Sequence, residues 1–182
     1  MRLCCLGFFI LSTLIASAQT VPGTWKTDYE ESGYTKTPRY AETMDYLRRL
    51  ERASPWIKVT SFGKSPQGRE LPLVIASNDG AFDPDQAAKT GKAVLLIQNG
   101  IHAGEIDGKD GCLMLLRDIA ITKSKASLLD HVILLIIPIY NVDGHERFGP
   151  YNRINQNGPE EMGWRVTAQN LNLNRDYLKA DA

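Results

Sequence analysis

The chain has 182 residues, and its 21 Lys and Arg are balanced by 21 Asp and Glu, so the formal net charge is zero. It carries neither a basic run nor an alternation of basic and aromatic residues, so we do not expect nucleic acid as a partner. Two of the three cysteines lie in the first five residues, so Cys112 is the only cysteine in the rest of the chain. A single cysteine there excludes a disulfide framework.

The first 18 residues have the layout of a secretory signal peptide. Arg2 supplies the positive start, residues 3–15 are apolar, and residues 16–18 are the small-residue sequence Ala-Ser-Ala that signal peptidase reads. The apolar run is shorter than the ~20 residues that a membrane-spanning helix needs. We therefore expect a signal peptide at 1–18, a secreted or periplasmic protein, and no membrane span.

The segment from residue 19 to 91 is predicted to contain one helix and two strands. Residues 19–39 lack periodicity and predict an irregular N-terminal arm. Tyr40–Ala53 has the apolar spacing of an amphipathic helix. Trp56–Phe62 and Leu71–Ala76, joined by Gly- and Pro-containing turn residues, predict two antiparallel strands. Residues 78–91 are polar and predict a loop.

The next segment predicts a strand, a helix and a second strand. Ala93–Gln98 is apolar and predicts a buried strand, and Asp110–Ile121 carries apolar residues at helical spacing. Val132–Ile139 is apolar throughout, as expected of a central strand that is buried on both faces. A right-handed crossover between parallel strands is the natural connection. The predicted fold class is α/β, with a mixed central sheet flanked by helices.

An imidazole and a carboxylate follow the first of these strands, at His102 and Glu105. A spacing of three residues places both side chains on one side of a turn, roughly 5–6 Å apart at Cβ. Both groups are common zinc ligands, and the carboxyl ends of strands are where open α/β sheets bind ligands. The pattern alone is weak, because it also fits a solvated loop histidine near a glutamate favoured at a helix start.

A second group of polar residues follows the second strand. Residues 141–144 read Asn-Val-Asp-Gly, which is ordinary turn chemistry. A loop of more than twenty residues then leads past Arg165 to Asn174 and Arg175, and long loops inside compact domains are often functional. An arginine beside an asparagine can clamp a carboxylate through two parallel hydrogen bonds. The alternative is a structural arginine paired with Asp176.

Together these motifs resemble the zinc carboxypeptidase family in type and in order. They are His102-Ala103-Gly104-Glu105, Asn141-Val142-Asp143-Gly144, Trp164-Arg165 and Leu173-Asn174-Arg175-Asp176, preceded by a hairpin at Ser65–Leu71. The resemblance begins near Tyr40, and it implies that residues 40–182 form the N-terminal part of a zinc carboxypeptidase-like catalytic domain. Four motifs in the right order are specific where each one alone is not.

The resemblance implies a role for five residues. His102 and Glu105 match the residues that bind Zn²⁺, and Asn174 and Arg175 match the pair that holds the terminal carboxylate of a peptide substrate. Arg165 matches the catalytic arginine that stabilises the oxyanion formed from the scissile carbonyl. A catalytic zinc lowers the pKa of its bound water to about 7, and loss of one oxyanion donor typically costs about 2.7–4 kcal/mol.

Arg153 is a competing candidate for the oxyanion role, because the spacing between this arginine and the Asn-Arg pair varies among family members. The implied function is hydrolysis of the C-terminal peptide bond of peptides. Two alternatives remain open: a zinc amidohydrolase that acts on N-acyl amino acids, and a binding module without catalytic activity on the same fold. Side-chain preference and oligomeric state are not encoded in these motifs.

The family's third zinc ligand, a later histidine, and its general-base glutamate have no counterpart in these motifs. His145 and Glu146 are weak substitutes, since the family uses no ligand at that turn. We therefore expect both missing groups beyond residue 182, and we expect the 182-residue chain to be the N-terminal part of a longer enzyme and inactive by itself.

Overall fold

The computed structural model describes residues 21–179. The predicted signal peptide at 1–18 lies outside the described residues. Residues 21–39 are largely irregular, but they contain a 3₁₀ turn at Gly23–Trp25 and one helical turn, α1, at Asp28–Glu31. A Thr-x-x-Glu capping box starts α1. No helix between residues 21 and 179 is long and apolar enough to cross a membrane.

Four strands form one mixed sheet. They are β1 at Ile57–Lys64, β2 at Glu70–Ala76, β3 at Ala93–Gln98 and β4 at Val132–Ile137, in the spatial order β1-β2-β4-β3. β2 pairs antiparallel with both β1 and β4, whereas β3 pairs parallel with β4. The α/β fold class with a mixed sheet is confirmed.

Two amphipathic helices, each 14 residues long, pack on one face of the sheet. They are α2 at Tyr40–Ala53 and α4 at Asp107–Ala120. Their apolar residues meet those of the sheet in the main core, whose members include Leu47, Leu50, Leu113, Leu116, Val74, Leu134 and Ile136. Burial of each such side chain contributes about 1.5–3 kcal/mol, so this layer holds α4 and the loop before it against the sheet.

Two expectations about the region before α4 are wrong. β3 is the edge strand of the described sheet, and Val94, Leu95 and Leu96 are half exposed rather than buried. The polar loop expected at 78–91 contains a short helix, α3, at Pro84–Thr90. Its start is stabilised by the Asp83 carboxylate, which accepts a hydrogen bond from the Gln86 backbone at 2.8 Å, and by proline in its first turn.

Candidate active site

The loops that follow β3 and β4 lie side by side, because the two strands are parallel neighbours. Backbone pairing continues past the ends of both strands: Tyr140 N donates to Asn99 O at 2.9 Å, and Asn141 N donates to Gly100 O at 3.0 Å. The loop after β3 carries His102, and the chain after β4 forms a helical turn, α5, at Val142–His145. The predicted metal-ligand loop therefore lies at the carboxyl edge of the sheet.

His102 and Glu105 face each other across a tight turn. His102 Nδ1 lies 3.5 Å from Glu105 Oε1, and Glu105 N donates to His102 O at 2.8 Å. Only 5% of His102 is exposed, and neither of its ring nitrogens has a hydrogen-bond partner. Buried polar atoms are normally paired. An imidazole with two unpaired nitrogens beside a carboxylate fits a metal ligand, so these two residues have the chemistry of half a zinc site.

The surroundings of His102 favour its neutral form. Burial lowers the pKa of His102 below its ordinary value of 6.5, and the positive charges of Arg165, Arg153 and Arg175 lower it further, against an opposing effect of Glu105. Neutral imidazole is the form that binds a metal ion. The same interactions indicate that three guanidinium groups lie close enough to His102 to act on it electrostatically.

Two of these guanidinium groups approach the predicted metal-ligand carboxylate. Arg165 Nη1 lies 4.0 Å from Glu105 Oε1, and Arg153 Nη2 lies 2.7 Å from the same oxygen. The Arg165 side chain is 38% exposed and the Arg153 side chain only 12%. Both arginines therefore belong to the site, and Arg153 is the closer of the two to the carboxylate.

Asn174 and Arg175 lie in a 3₁₀ turn at Leu173–Arg175, with both residues exposed. The turn is stabilised by the Asn172 side chain, which accepts a hydrogen bond from Asn174 N at 3.1 Å, and Arg175 Nη1 donates to Asn174 O at 3.0 Å. An exposed guanidinium beside an exposed amide is available to an anionic ligand. The assignment of this pair to substrate binding stays a prediction.

Arg165 is placed by backbone contacts rather than by a helix or strand. Trp164 N donates to Gly144 O at 2.7 Å, and Asn141 Nδ2 approaches Arg165 O at 3.5 Å. These bonds hold the loop before Arg165 against α5. The long loop is therefore fixed to the same edge of the sheet that carries His102.

Sequence reasoning missed how Arg153 and Gln156 enclose the ligand loop. Gln156 Nε2 donates to Gly104 O at 3.1 Å, and the stem of Arg153 packs where a Cβ at Gly104 would stand, 2.7 Å from Arg153 Cγ. The only signal in the sequence is the presence of glycine between His102 and Glu105. The glycine does not indicate that Arg153 occupies the space beside it.

His145 is engaged elsewhere. Its Nε2 lies 3.1 Å from Lys109 Nζ and its Nδ1 lies 3.0 Å from Glu146 Oε1, so both nitrogens have partners. A role of His145 or Glu146 in the zinc site would break this buried chain. Among residues 21–179, no group of three or more His, Cys, Asp or Glu is arranged to hold a metal ion.

A sequence model of the zinc carboxypeptidase family matches residues 43–181. The chain belongs to the zinc carboxypeptidase family. The resemblance that the four motifs predict is thus confirmed. Among its relatives, Carboxypeptidase 2 of Trichophyton rubrum is 31% identical over 169 residues, a match that covers 91% of this chain and 28% of that protein.

A solved structure shares the fold, and a further relative is similar in sequence. The solved structure of carboxypeptidase A from Helicoverpa armigera aligns with a TM-score of 0.57 at 23% identity, covering 73% of this chain and 29% of that one. The Inactive metallocarboxypeptidase ECM14 of Saccharomyces cerevisiae is 32% identical over 130 residues, covering 65% of this chain and 29% of that protein. The chain thus spans less than a third of the length of these relatives.

Proposed function

We propose that this zinc carboxypeptidase family member takes part in zinc-dependent hydrolysis of the C-terminal peptide bond of peptides. The observation that carries the proposal is the buried His102, whose unpaired nitrogens lie beside Glu105 at the carboxyl edge of the sheet. Guanidinium groups around the pair give the site the positive potential that an anionic chain end requires. Family membership supports the reaction class.

In this proposal His102 and Glu105 hold zinc, which when bound supplies an activated water and polarises the scissile carbonyl. Two protein ligands are fewer than the three of a catalytic zinc site. Since the described residues offer no third ligand beside them, the proposed function requires one, together with a general base, from outside residues 21–179. We accordingly expect the 182-residue chain alone to bind zinc weakly and to show no peptidase turnover.

The remaining roles in this proposal belong to Arg165, Asn174 and Arg175. Arg165 has a partly exposed side chain near Glu105 and can donate hydrogen bonds to an oxygen on which negative charge develops. Asn174 and Arg175 can hold the terminal carboxylate of the peptide, which fixes the bond that reaches the metal. Binding of a free chain end is what would make the activity exopeptidic.

We further propose that the protein is exported to the periplasm or the cell exterior. The support is the order of charge, apolar run and small residues within positions 1–18. Mass spectrometry of the exported protein tests this proposal, with an N-terminus at Gln19 as the expected result. Recovery of the protein only from the cytoplasm, with residues 1–18 intact, would contradict it.

Zinc binding is the direct test of the site. Titration of the purified chain with Zn²⁺ against a chromophoric chelator should give one weak site, and His102→Ala should abolish it. His131→Ala is the matched control, because His131 is an exposed histidine at the start of β4. If His102→Ala binds zinc as the parent does, the site assignment is wrong.

Binding of a chain end tests the substrate class. A short peptide with a free C-terminus should bind the zinc-loaded protein more tightly than the same peptide with an amidated C-terminus. Arg175→Met should remove that difference, whereas Arg52→Met, an exposed arginine on α2, should preserve it. Equal binding of both peptides by the parent protein would refute recognition of a terminal carboxylate.

A further inference from the structure

Arg153 contacts the very oxygen of Glu105 that faces the imidazole of His102. We propose that Arg153 competes with zinc for Glu105 Oε1 and thereby limits the affinity of the site for the metal. The inference rests on the proposed zinc site, and it assigns to Arg153 a control of metal affinity rather than a contact with substrate.

The distances converge on a single atom. Glu105 Oε1 lies 3.5 Å from His102 Nδ1, 2.7 Å from Arg153 Nη2 and 4.0 Å from Arg165 Nη1. A zinc ion bound to both His102 and Glu105 sits about 2.0–2.2 Å from each ligand atom. The ion would therefore use the oxygen that already accepts a charge-assisted hydrogen bond from Arg153. Two cations on one oxygen lie only about 4 Å apart and repel each other.

Arg153 is fixed in this position by packing. Its side chain is 12% exposed, and its Nε is buried without a hydrogen-bond partner. Its stem lies against Gly104, and the carbonyl of Gly163 closes the same space, 2.5 Å from where a Cβ on Gly104 would stand. The Gln156 side chain donates a hydrogen bond to the carbonyl of Gly104 and so joins the loop of Arg153 to the ligand loop. The stem of Arg153 is therefore held beside Gly104, which keeps the guanidinium within reach of Glu105.

Arg165 differs in each respect. Its guanidinium is farther from Oε1 and its side chain is 38% exposed, so it can turn toward solvent or substrate at little cost. Repulsion of a bound metal ion by Arg165 is relieved by a change of rotamer. The competition for Oε1 is accordingly specific to Arg153, although both residues carry the same charge.

Glu105 cannot avoid the conflict cheaply. Its side chain is 49% exposed, so the carboxylate can rotate and offer Oε2 to the metal. That rotation gives up the 2.7 Å ion pair with Arg153 or leaves the guanidinium beside the dication. In both cases zinc binding is weaker than it would be with a neutral side chain at position 153.

Zinc affinity of Arg153→Met tests the inference. Methionine keeps an unbranched stem over Gly104 and removes the charge. We expect the variant to bind zinc roughly fivefold more tightly or more, because repulsion between two unit charges at about 4 Å in water is already of that size. Arg153→Gln, a second neutral variant, should behave alike, and circular dichroism checks that each variant is folded.

Two arginine variants serve as controls. Arg52→Met changes the net charge equally but lies on the exposed face of α2, so its zinc affinity should equal that of the parent. Arg165→Met should tighten binding less than Arg153→Met. If both neutral variants at position 153 bind zinc as the parent does or more weakly, Arg153 supports Glu105 and the inference is overturned.

Failure of the zinc site itself has a different signature. If His102→Ala binds zinc as tightly as the parent, the site assignment fails, and the inference fails with it. If His102→Ala loses zinc while the variants at position 153 gain nothing, only the role of Arg153 is refuted.

Discussion

Replacement of His145 by phenylalanine removes the middle member of a buried chain of ionisable groups. Lys109 Nζ lies 3.1 Å from His145 Nε2, and His145 Nδ1 lies 3.0 Å from Glu146 Oε1. An ammonium group can only donate, so Nε2 accepts and Nδ1 carries the proton that is donated to Glu146. A second proton on the ring would point at the ammonium group. The imidazole is therefore held neutral in the folded protein.

The size of the effect follows from the pKa of this histidine. Burial, opposed by the hydrogen bond to Glu146 and reinforced by the charge of Lys109, lowers the pKa of His145 from 6.5 to about 4. Between pH 6.5 and about pH 4, His145 binds a proton in the unfolded chain but not in the folded chain. The free energy of unfolding therefore falls as the pH falls. At 1.36 kcal/mol per pH unit, the whole window is worth roughly 3 kcal/mol, of which about 2 kcal/mol is lost between pH 7.5 and pH 5.

Glu146 acts in a lower pH range. Burial opposes the shift, but hydrogen bonds from His145 and from the backbone of Tyr40 bring the pKa of Glu146 down from 4.5 to about 2. The stability that this carboxylate contributes is present above pH 4.5 and is lost as the pH falls through 2. A comparison of pH 7.5 with pH 5 therefore leaves Glu146 out, and the difference between the parent and His145→Phe removes the contribution of His102, whose pKa is also lowered.

Urea unfolding at pH 7.5 and pH 5 measures this contribution. The free energy of unfolding of the parent should drop by about 2 kcal/mol more than that of His145→Phe. The variant itself should be less stable at pH 7.5, because Lys109 and Glu146 lose a partner. His131→Gln, which removes an exposed imidazole, should keep the drop of the parent. An equal drop in the parent and in His145→Phe would refute the buried neutral histidine.

Three further predictions concern stability and association. The buried Asp143 carboxylate accepts hydrogen bonds from the Ser65 hydroxyl, the Gln67 backbone and Arg69. Asp143→Ala should therefore lower the free energy of unfolding in urea by about 3 kcal/mol, and Asp143→Asn should lower it less. Gly104→Ala should lower both the melting temperature and zinc affinity, and an unchanged affinity would show that the ligand loop tolerates a side chain there. Leu95→Lys should reduce self-association in sedimentation experiments, because an exposed apolar edge strand is prone to pair; equal self-association of parent and variant would contradict this.

Elements with strong local patterns could be predicted from the sequence. The bounds of α2 at Tyr40–Ala53 match the apolar spacing, since an amphipathic period and the proline after Ser54 are local signals. The short helix at Pro84–Thr90 has readable signals too, with an Asp cap, a proline in its first turn and a glycine at its end, but it lacks buried residues. Apolar spacing therefore gave no indication of this helix.

Burial of a strand depends on which strands and helices lie beside it, and an apolar run does not identify these neighbours. The run Ala93–Gln98 forms a strand as predicted, but the strand lies at the edge of the described sheet and is exposed. By contrast, β4 lies between β2 and β3, as its apolar composition predicts for a central strand. Composition identifies a strand, whereas the order of strands decides how much of it is covered.

The same limit applies to the site. His102 and Glu105 are three residues apart, so their proximity is a local property that the spacing predicts. Arg153 is 48 residues beyond Glu105 and reaches it only through the course of the loop after α5. The neutral state of His145 likewise depends on Lys109, which α4 supplies from 36 residues away. No motif encodes either contact.

Glycines explain how an irregular loop can place the backbone of Arg165 with accuracy. A Cβ at Gly163 would lie 2.7 Å from the Cα of His145, and a Cβ at Gly104 would lie 2.5 Å from the carbonyl oxygen of Gly163. The ligand loop, α5 and the loop before Arg165 thus meet backbone to backbone. Contacts of this kind have no side-chain rotamers to vary, so the backbone of Arg165 is held relative to that of His102 by main-chain packing. The geometry of the site therefore depends on residues without side chains as much as on the ligands that they bring together.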